Sequence, residues 1–213
     1  MKIVIFDMDG TLIDSKIDIT ISVNYIRDLH YDLPPLTKEY VAEVINMENR
    51  NLPKLLYGTE IYQEKDKKVF ELHYASQCMK NPYLYDGILD TLHTLKKSGV
   101  KLSVATNAPT KFALIMLKHL KIDSIFDMII GSDKVKISKP DSEMIDKILA
   151  FYDFDDSKDY ACVVGDSSKD MKSAENAGID SIFVRWGFSS DNGYNTAIDT
   201  PQEILNIIKA YNE

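Results

Sequence analysis

Short apolar segments rich in β-branched residues alternate along this chain with segments of helical spacing, and this alternation restricts the fold more than any other feature. Strands are predicted at residues 2–6, 101–106, 128–131, 160–165 and 181–184. Helices are predicted between and after them at residues 87–97, 110–120, 141–152, 169–177 and 201–211. Strands separated by helices of about ten residues form βαβ units. The pattern therefore predicts an α/β fold with a doubly wound, mostly parallel, Rossmann-like sheet.

One long interruption, residues 15–82, follows the first predicted strand. Its apolar residues keep helical spacing, for example at Ile19, Val23 and Ile26, and it contains no strand pattern. An all-helical insert at this place in a parallel sheet would cover the ends of the strands. We therefore expect residues 1–14 and 83–213 to form the α/β core and residues 15–82 to form an inserted helical cap domain.

Charge and composition exclude several classes of protein. The formal net charge is −8 and no basic stripe is present, which argues against a nucleic-acid partner. The longest apolar runs are too short to cross a bilayer, so no membrane association is expected. The N-terminus has no signal-peptide pattern, and Cys78 and Cys162 have no metal-ligand spacing. These features predict a cytoplasmic protein with buried, reduced cysteines and leave monomer and dimer open.

The first predicted strand ends in a polar run that begins with Asp7 and continues through Asp9, Gly10 and Thr11. Open parallel sheets place their active sites at the carboxyl ends of the strands. Residues two apart in an extended chain point to the same side, so Asp7 and Asp9 could face one small volume. A bound cation would offset the repulsion between two such carboxylates. Gly10 would allow a sharp turn close to a ligand.

Other polar residues follow further predicted strands. Thr106 and Asn107 end the second strand, Lys139 lies beyond the third, and Asp166 and Asp170 follow the fourth. Taken singly, each has an ordinary explanation as a turn, a helix cap or a surface charge. Their coincidence at the same edge of one sheet predicts a single site. Three or four carboxylates with few neutral ligands favour a hard cation, and we expect Mg²⁺.

With these clusters, the chain resembles the haloacid dehalogenase superfamily. The four motifs of that superfamily match residues 7–12 (DMDGTL), Thr106-Asn107, Lys139-Pro140 and residues 165–170 (GDSSKD), and the likeness covers nearly the whole chain. The resemblance implies that Asp7 is a nucleophile that becomes phosphorylated. It also implies that Asp9 is the general acid and then the general base.

The same resemblance implies a metal site and a substrate site. Mg²⁺ would be held by the Asp7 carboxylate, the Asp9 backbone carbonyl and Asp166, with Asp170 acting through water or as support. Thr106 and Lys139 would contact phosphoryl oxygens. Further candidate substrate contacts are Gly10, Thr11, Asn107 and Arg50.

Within the superfamily, the chain is most similar to phosphoglycolate phosphatases, for example in the runs at residues 85–87, 106–109 and 186–188. This likeness implies a phosphomonoester hydrolase for a small phosphorylated metabolite, with 2-phosphoglycolate as the first candidate. The chain departs from that group in residues 46–54, which lack a Gly-rich turn and contain Arg50. Because this segment would help to select the substrate, the departure bears on substrate identity more than on the reaction.

Other activities remain as alternatives. A sugar-phosphate phosphatase and a pyrophosphatase would share the same motifs. A β-phosphoglucomutase would have a histidine where this chain has Ile19, and a dehalogenase would not need the acidic metal site. A non-enzymatic phospho-receiver module would be shorter, would have no helical insert, and would not release phosphate catalytically.

Overall fold

The centre of the fold is a six-stranded parallel sheet. The computed structural model describes residues 1–48, 50–190 and 193–211. The strands are β1 (Lys2–Phe6), β2 (Ile13–Asp14), β3 (Tyr83–Leu84), β4 (Lys101–Ala105), β5 (Met128–Ile130), β6 (Tyr160–Gly165), β7 (Asp180–Val184) and β8 (Ala197–Ile198). All but β2 and β3 belong to the parallel sheet, in the order β5-β4-β1-β6-β7-β8. The predicted fold class is confirmed.

The helices fall into two sets. Four lie between β2 and β3 and are called the helical insert: α1 (Lys16–Tyr31), α2 (Lys38–Asn46), α3 (Leu52–Tyr57) and α4 (Glu64–Gln77). The others are α5 (Ile88–Lys97), α6 (Thr110–His119), α7 (Glu143–Phe151), α8 (Ser168–Asn176) and α9 (Gln202–Ala210). In the part of the chain that the structure describes, no helix is both long enough and apolar enough to cross a membrane.

Both faces of the sheet are buried because side chains of β1 alternate between them. Val4 and Phe6 join one apolar cluster, whereas Ile3 and Ile5 join another. The first cluster includes side chains from α5, α6 and α9, and the second includes side chains from α7 and α8. Helices on both faces make the sheet doubly wound. Cys78 and Cys162 are buried as free thiols, as predicted.

A small antiparallel pair of strands closes the base of the helical insert. Ile13 pairs with Leu84 and Asp14 pairs with Tyr83, whose hydroxyl donates to Asp14 Oδ2 at 2.8 Å. The chain therefore enters and leaves the insert at neighbouring points. The insert also has an apolar cluster of its own, formed by Val23, Ile26, Val41, Val44, Leu56 and Tyr57. The division into domains at residues 14/15 and 82/83 stays a prediction.

Candidate active site

The candidate site begins where β1 ends between its neighbours β4 and β6. Asp7 extends the strand, since its backbone N–H donates to Val164 O at 2.9 Å. The chain then turns at Gly10, where φ is +88°. A Cβ atom at Gly10 would lie 2.3 Å from Asp166 Oδ2. Only glycine combines this backbone conformation with room for the Asp166 carboxylate. The predicted substrate contact of Gly10 stays a prediction.

Three buried carboxylates meet at this end of β1. Asp7 follows β1, Asp166 follows β6, and Asp170 lies in the first turn of α8. Each offers one oxygen atom, and these atoms lie within 4.8 Å of one another. The exposed fractions are 8% for Asp7 and 1% for each of the other two. Residues more than 150 positions apart in the sequence are thus brought into one small volume.

One ammonium group offsets part of the repulsion between these carboxylates. Lys139 Nζ donates to Asp7 Oδ1 at 2.7 Å, to Asp170 Oδ1 at 2.5 Å and to Ala105 O at 2.6 Å. This ammonium contacts two of the three carboxylates, and every ligand atom that the cluster offers is an oxygen. This donor set fits a hard divalent cation such as Mg²⁺.

Burial favours the protonated form of Asp7 and of Asp166. It raises the pKa of Asp7 to about 7, although the Lys139 ammonium opposes the shift. Burial and the charges of Asp7 and Asp170 raise the pKa of Asp166 well above its usual range. Burial acts in the opposite sense on Lys139, but the Asp170 and Asp7 carboxylates raise the pKa of this lysine, so it is charged. A bound cation would favour the ionised carboxylates.

Asp9 lies beside the carboxylate cluster. Its Oδ1 atom accepts a hydrogen bond from Ser15 Oγ at 2.5 Å. Desolvation raises the pKa of Asp9 to about 6, and the hydrogen bond from Ser15 limits the shift. Among the described residues, the group of carboxylates close enough to share a metal ion does not include the Asp9 side chain. The predicted metal contact through the Asp9 backbone carbonyl stays a prediction.

Thr106 and Asn107 follow β4, next to β1. Thr106 is buried, and its Oγ1 atom accepts from Ala108 N at 3.1 Å, which leaves its hydroxyl hydrogen for another acceptor. The Asn107 amide pairs with the backbone of Lys139: Nδ2 donates to the carbonyl at 2.9 Å and Oδ1 accepts from the N–H at 3.1 Å. Asn107 therefore holds the loop that carries Lys139, which the sequence did not predict. Its predicted substrate contact stays a prediction.

Two hydroxyl groups support the carboxylates from inside the core. Thr11 is fully buried, and its Oγ1 atom lies 3.5 Å from both Asp7 Oδ2 and Asp166 Oδ1. Asp170 Oδ2 accepts from Ser167 N at 3.1 Å and from Ser167 Oγ at 2.5 Å. Both Asp170 oxygens thus have protein partners, as a supporting residue would. For Thr11, a substrate contact stays a prediction, since the contacts of its hydroxyl are with the carboxylates.

Asn46 brings the helical insert into contact with the cluster, and sequence reasoning missed it. Its Nδ2 atom, at the end of α2, donates to Asp166 Oδ2 at 3.0 Å and to Ser189 Oγ at 2.9 Å. The same Asp166 oxygen accepts from Phe188 N at 2.7 Å. No pattern around Asn46 distinguishes it from other helix-terminal asparagines, so the sequence carried no signal for this contact.

Two cations lie on the insert side of the site. Lys169 Nζ donates to Ile45 O at 2.8 Å, and burial, followed by the charge of Arg50, lowers its pKa to about 8. Arg50 Nη1 donates to Met47 O at 2.6 Å, while its Nε is buried without a hydrogen-bond partner among the described residues. Lys169 was missed, although its place directly before Asp170 was a usable signal. Arg50 borders the site, but its contact with substrate stays a prediction.

A cavity of about 340 Å³ joins the core to the insert. Its polar end is formed by Asp7, Asp9, Thr106, Asn107, Lys139, Asp170, Lys169 and Arg50. The rest is bordered mainly by apolar and aromatic side chains of α1, α3, α4 and α6. Each of the four motifs therefore contributes at least one residue to the lining of this cavity.

Comparisons with known proteins identify relatives of this chain. A family model described as haloacid dehalogenase-like hydrolase matches residues 4–184. An N-acetylmuramic acid 6-phosphate phosphatase from Pseudomonas aeruginosa is 29% identical over 217 residues, which cover 98% of this chain and 95% of that protein. A phosphoglycolate phosphatase from Aquifex aeolicus is 29% identical over 191 residues, which cover 88% and 86%. The solved structure of a predicted phosphoglycolate phosphatase from Haemophilus somnus has a TM-score of 0.81 at 25% identity and covers 98% of both chains.

Proposed function

The chain belongs to the haloacid dehalogenase-like hydrolase family and is a phosphatase, and from this premise we propose a Mg²⁺-dependent phosphomonoester hydrolase that acts through an aspartyl phosphate on Asp7. The family resemblance predicted from the four motifs is confirmed. The proposed substrate is a small phosphorylated metabolite, and we expect the enzyme to work in the cytoplasm.

The arrangement around Asp7 carries this proposal. Its carboxylate lies against Lys139 and within 4.8 Å of a ligand oxygen of Asp166. An ionised carboxylate can attack phosphorus without help from a base, but burial favours the protonated form of Asp7. Mg²⁺, when bound, would hold this carboxylate ionised and draw the phosphate towards it. Asp7, Asp166 and the Asp9 carbonyl would hold the ion, and Asp170 would support it.

Two displacements at phosphorus complete the reaction. An Asp7 oxygen first bonds to phosphorus while the bond to the ester oxygen breaks, and Asp9 gives its proton to the departing alkoxide. Water then attacks the aspartyl phosphate while Asp9 takes up a proton, so that inorganic phosphate leaves and the Asp7 carboxylate is restored. A pKa near 6 suits Asp9 to both proton transfers. Lys139 and the Thr106 hydroxyl would stabilise the charge on the phosphoryl oxygens.

We further propose that the helical insert serves as a cap that shields the reaction from bulk water. Two hydrogen bonds support this role, since each joins the insert to the core beside the carboxylates. Asn46 bonds to Asp166, and Lys169 bonds to Ile45 O. The strand pair β2–β3 places both connections to the insert side by side, as a hinge would require.

Replacing Asn46 with Ala should weaken Mg²⁺ binding about tenfold. Loss of a hydrogen-bond partner of a metal-ligating carboxylate typically lowers metal affinity by a factor of about ten or more. The affinity is measured by titrating Mg²⁺ against the fluorescence of Trp186, the one tryptophan of the chain, whose Nε1 donates to Thr11 O at 3.0 Å. Asn206→Ala, at an exposed position on α9, is the matched control. Equal affinities for wild type and Asn46→Ala would show that this link has no effect on the metal site.

The relatives suggest which substrates to test first. Those named phosphoglycolate phosphatase support 2-phosphoglycolate, and the one named N-acetylmuramic acid 6-phosphate phosphatase supports a sugar phosphate. Pyrophosphate and glucose phosphates belong in the same panel. The phosphoryl group of the substrate would provide an acceptor for the buried Nε of Arg50, which has no hydrogen-bond partner in the described part of the chain.

A phosphate-release screen tests the proposal. Turnover is expected for at least one phosphomonoester of the panel and for p-nitrophenyl phosphate. Chelation by EDTA should reduce the rate by about two orders of magnitude or more, and added Mg²⁺ should restore it, because the ion offsets charge that Lys139 alone does not. Rates that do not respond to EDTA would refute the metal requirement, and a protein that releases no phosphate would refute the whole proposal.

Thermal unfolding gives an independent control for the metal site. Mg²⁺ at 100 times its Kd should add about 2.7 kcal/mol to the free energy of unfolding, because it binds the folded chain only. For a chain of this size, this corresponds to a rise in Tm of about 5–10 °C.

A further inference from the structure

Beyond its polar end, the cavity continues into the helical insert between apolar walls. Val23 lies on α1, Leu52 and Leu56 on α3, and Phe112 on α6 of the core. Val23, Leu56 and Phe112 are at most 3% exposed. The proposed phosphoryl site at Asp7 and this apolar space are parts of one cavity. A molecule attached to phosphate at Asp7 would therefore extend into it.

Aromatic rings form one continuous side of this space. The Phe70 and Tyr74 rings are stacked with centroids 5.3 Å apart, and Tyr74 meets Phe112 edge to face at 5.1 Å. The row runs from α4 in the insert to α6 in the core, so it belongs to both parts of the molecule. Packed rings of this kind present a stiff apolar surface to a ligand.

The inner part of the cavity has little to offer a small polar leaving group. Three charged side chains of α4 border it, and each already has a partner. The Asp66 carboxylate accepts from His30 Nδ1 at 2.6 Å and from the Tyr31 hydroxyl, Lys67 Nζ donates to Glu64 Oε1 at 2.8 Å, and Glu71 Oε2 accepts from Lys111 Nζ at 2.5 Å. Arg50 and Lys169 lie at the polar end, near the carboxylates. A volume of about 340 Å³ is within the range of pockets that enclose drug-sized ligands. A two-carbon glycolate would leave most of the apolar wall in contact with water.

From this shape and lining, and on the basis of the proposed phosphatase function, we infer that the preferred substrate is a phosphate monoester of a bulky, largely apolar alcohol or phenol. Its apolar body lies between Leu52, Leu56 and the aromatic row of Phe70, Tyr74 and Phe112. The phosphoryl group is then held at Asp7, and burial of the apolar body supplies the selectivity. In this arrangement 2-phosphoglycolate is a poor substrate.

A matched pair of substrates tests the inference. Ethyl phosphate and 2-phenylethyl phosphate have leaving alcohols of similar reactivity and differ in one apolar ring. The value of kcat/KM should be about tenfold or more higher for 2-phenylethyl phosphate, which is the factor expected for burial of one such side group. The ratio of the two values isolates the contribution of the ring from the phosphoryl step.

Variants locate the ring in the cavity. Leu52 is half-buried at the start of α3, and Leu52→Trp fills space beside the proposed position of the ring, so it should lower the ratio several-fold. Phe70→Ala removes part of the aromatic row and should also lower it, and it serves as the second variant if Leu52→Trp does not fold. Leu72→Trp, at a position that is 78% exposed on α4, should leave the ratio unchanged.

The outcomes separate this inference from the function on which it rests. Hydrolysis of both esters with equal kcat/KM, or with ethyl phosphate preferred, would overturn the inference and leave the phosphatase proposal intact. A high ratio that neither Leu52→Trp nor Phe70→Ala reduces would overturn the placement of the apolar body. If neither ester nor p-nitrophenyl phosphate is hydrolysed with Mg²⁺ present, the proposed function fails and this inference fails with it.

Discussion

The Asp7→Asn variant is expected to lower kcat by a factor on the order of 10⁴ or more, which is the size of effect seen when an enzyme loses its covalent nucleophile. A neutral amide is a poor nucleophile at phosphorus, and it cannot form the acyl phosphate from which water releases phosphate. The measurement is kcat for p-nitrophenyl phosphate at saturating Mg²⁺. Asp86→Asn makes the same chemical change at an exposed position outside the cavity and should retain wild-type turnover.

Loss of activity in Asp7→Asn should not come from loss of the fold. The folded-state pKa of Asp7, about 7, lies above the value of about 3.9 for an unfolded aspartate, so the folded chain binds this proton more tightly. Ionisation of Asp7 therefore reduces stability as the pH rises from about 4 to about 7. Because asparagine never ionises, the variant should unfold in EDTA at pH 8 at the same temperature as wild type or higher.

Two results would contradict the role of Asp7. Turnover close to that of wild type would remove Asp7 as the nucleophile, whatever the effect on stability. A large fall in Tm without metal would mean that Asp7 is chiefly a partner of Lys139, so that activity is lost with the fold.

Five of the six strands of the parallel sheet could be predicted from the sequence because the information is local, whereas the two-residue edge strand β8 was not predicted. Strands β1 and β6 occur at their predicted bounds, since each is a run of apolar residues that ends where polar residues begin. Helix ends differ from prediction by one or two residues; α7 begins at Glu143 rather than at residue 141. The motif residues converge because parallel strands place their carboxyl ends at one edge.

The remainder depends on contacts between distant residues that no local pattern records. Strands β2 and β3 have two residues each, which is too short to show the alternation of apolar and polar residues that predicts a strand. They pair only because the chain leaves the insert next to the point where it entered. Asn46 meets Asp166 across 120 positions. Helical spacing places Ile19 and Val23 on an apolar helix face, but it does not say that they border an open cavity instead of a filled core. The phosphatase family could therefore be predicted from the sequence, whereas the apolar lining of the cavity could not.

The Lys139→Met variant is expected to lose both activity and stability. Lys139 is 4% exposed and donates to Asp7, Asp170 and Ala105 O, so its removal leaves carboxylates without their ammonium partner. Breaking a buried ion pair on one side costs about 3–5 kcal/mol of unfolding free energy. Turnover should fall by a factor of about 10²–10³ or more, because a charge that stabilises the phosphoryl oxygens is lost. Urea unfolding in EDTA and kcat with Mg²⁺ measure the two effects.

Two comparisons distinguish a charge effect from a packing effect at Lys139. Since the cost arises from uncompensated carboxylates, Mg²⁺ should restore part of the lost stability, and Asp7→Asn added to Lys139→Met should destabilise less than the separate changes predict. Lys136→Met, at an exposed position three residues earlier, should behave as wild type. Two results would contradict the charge effect: Lys139→Met is equally unstable with and without Mg²⁺, and the effects of the two changes simply add in the double variant. The methylene stem of Lys139 would then stabilise the loop by packing, and its ammonium group would not stabilise the carboxylate cluster.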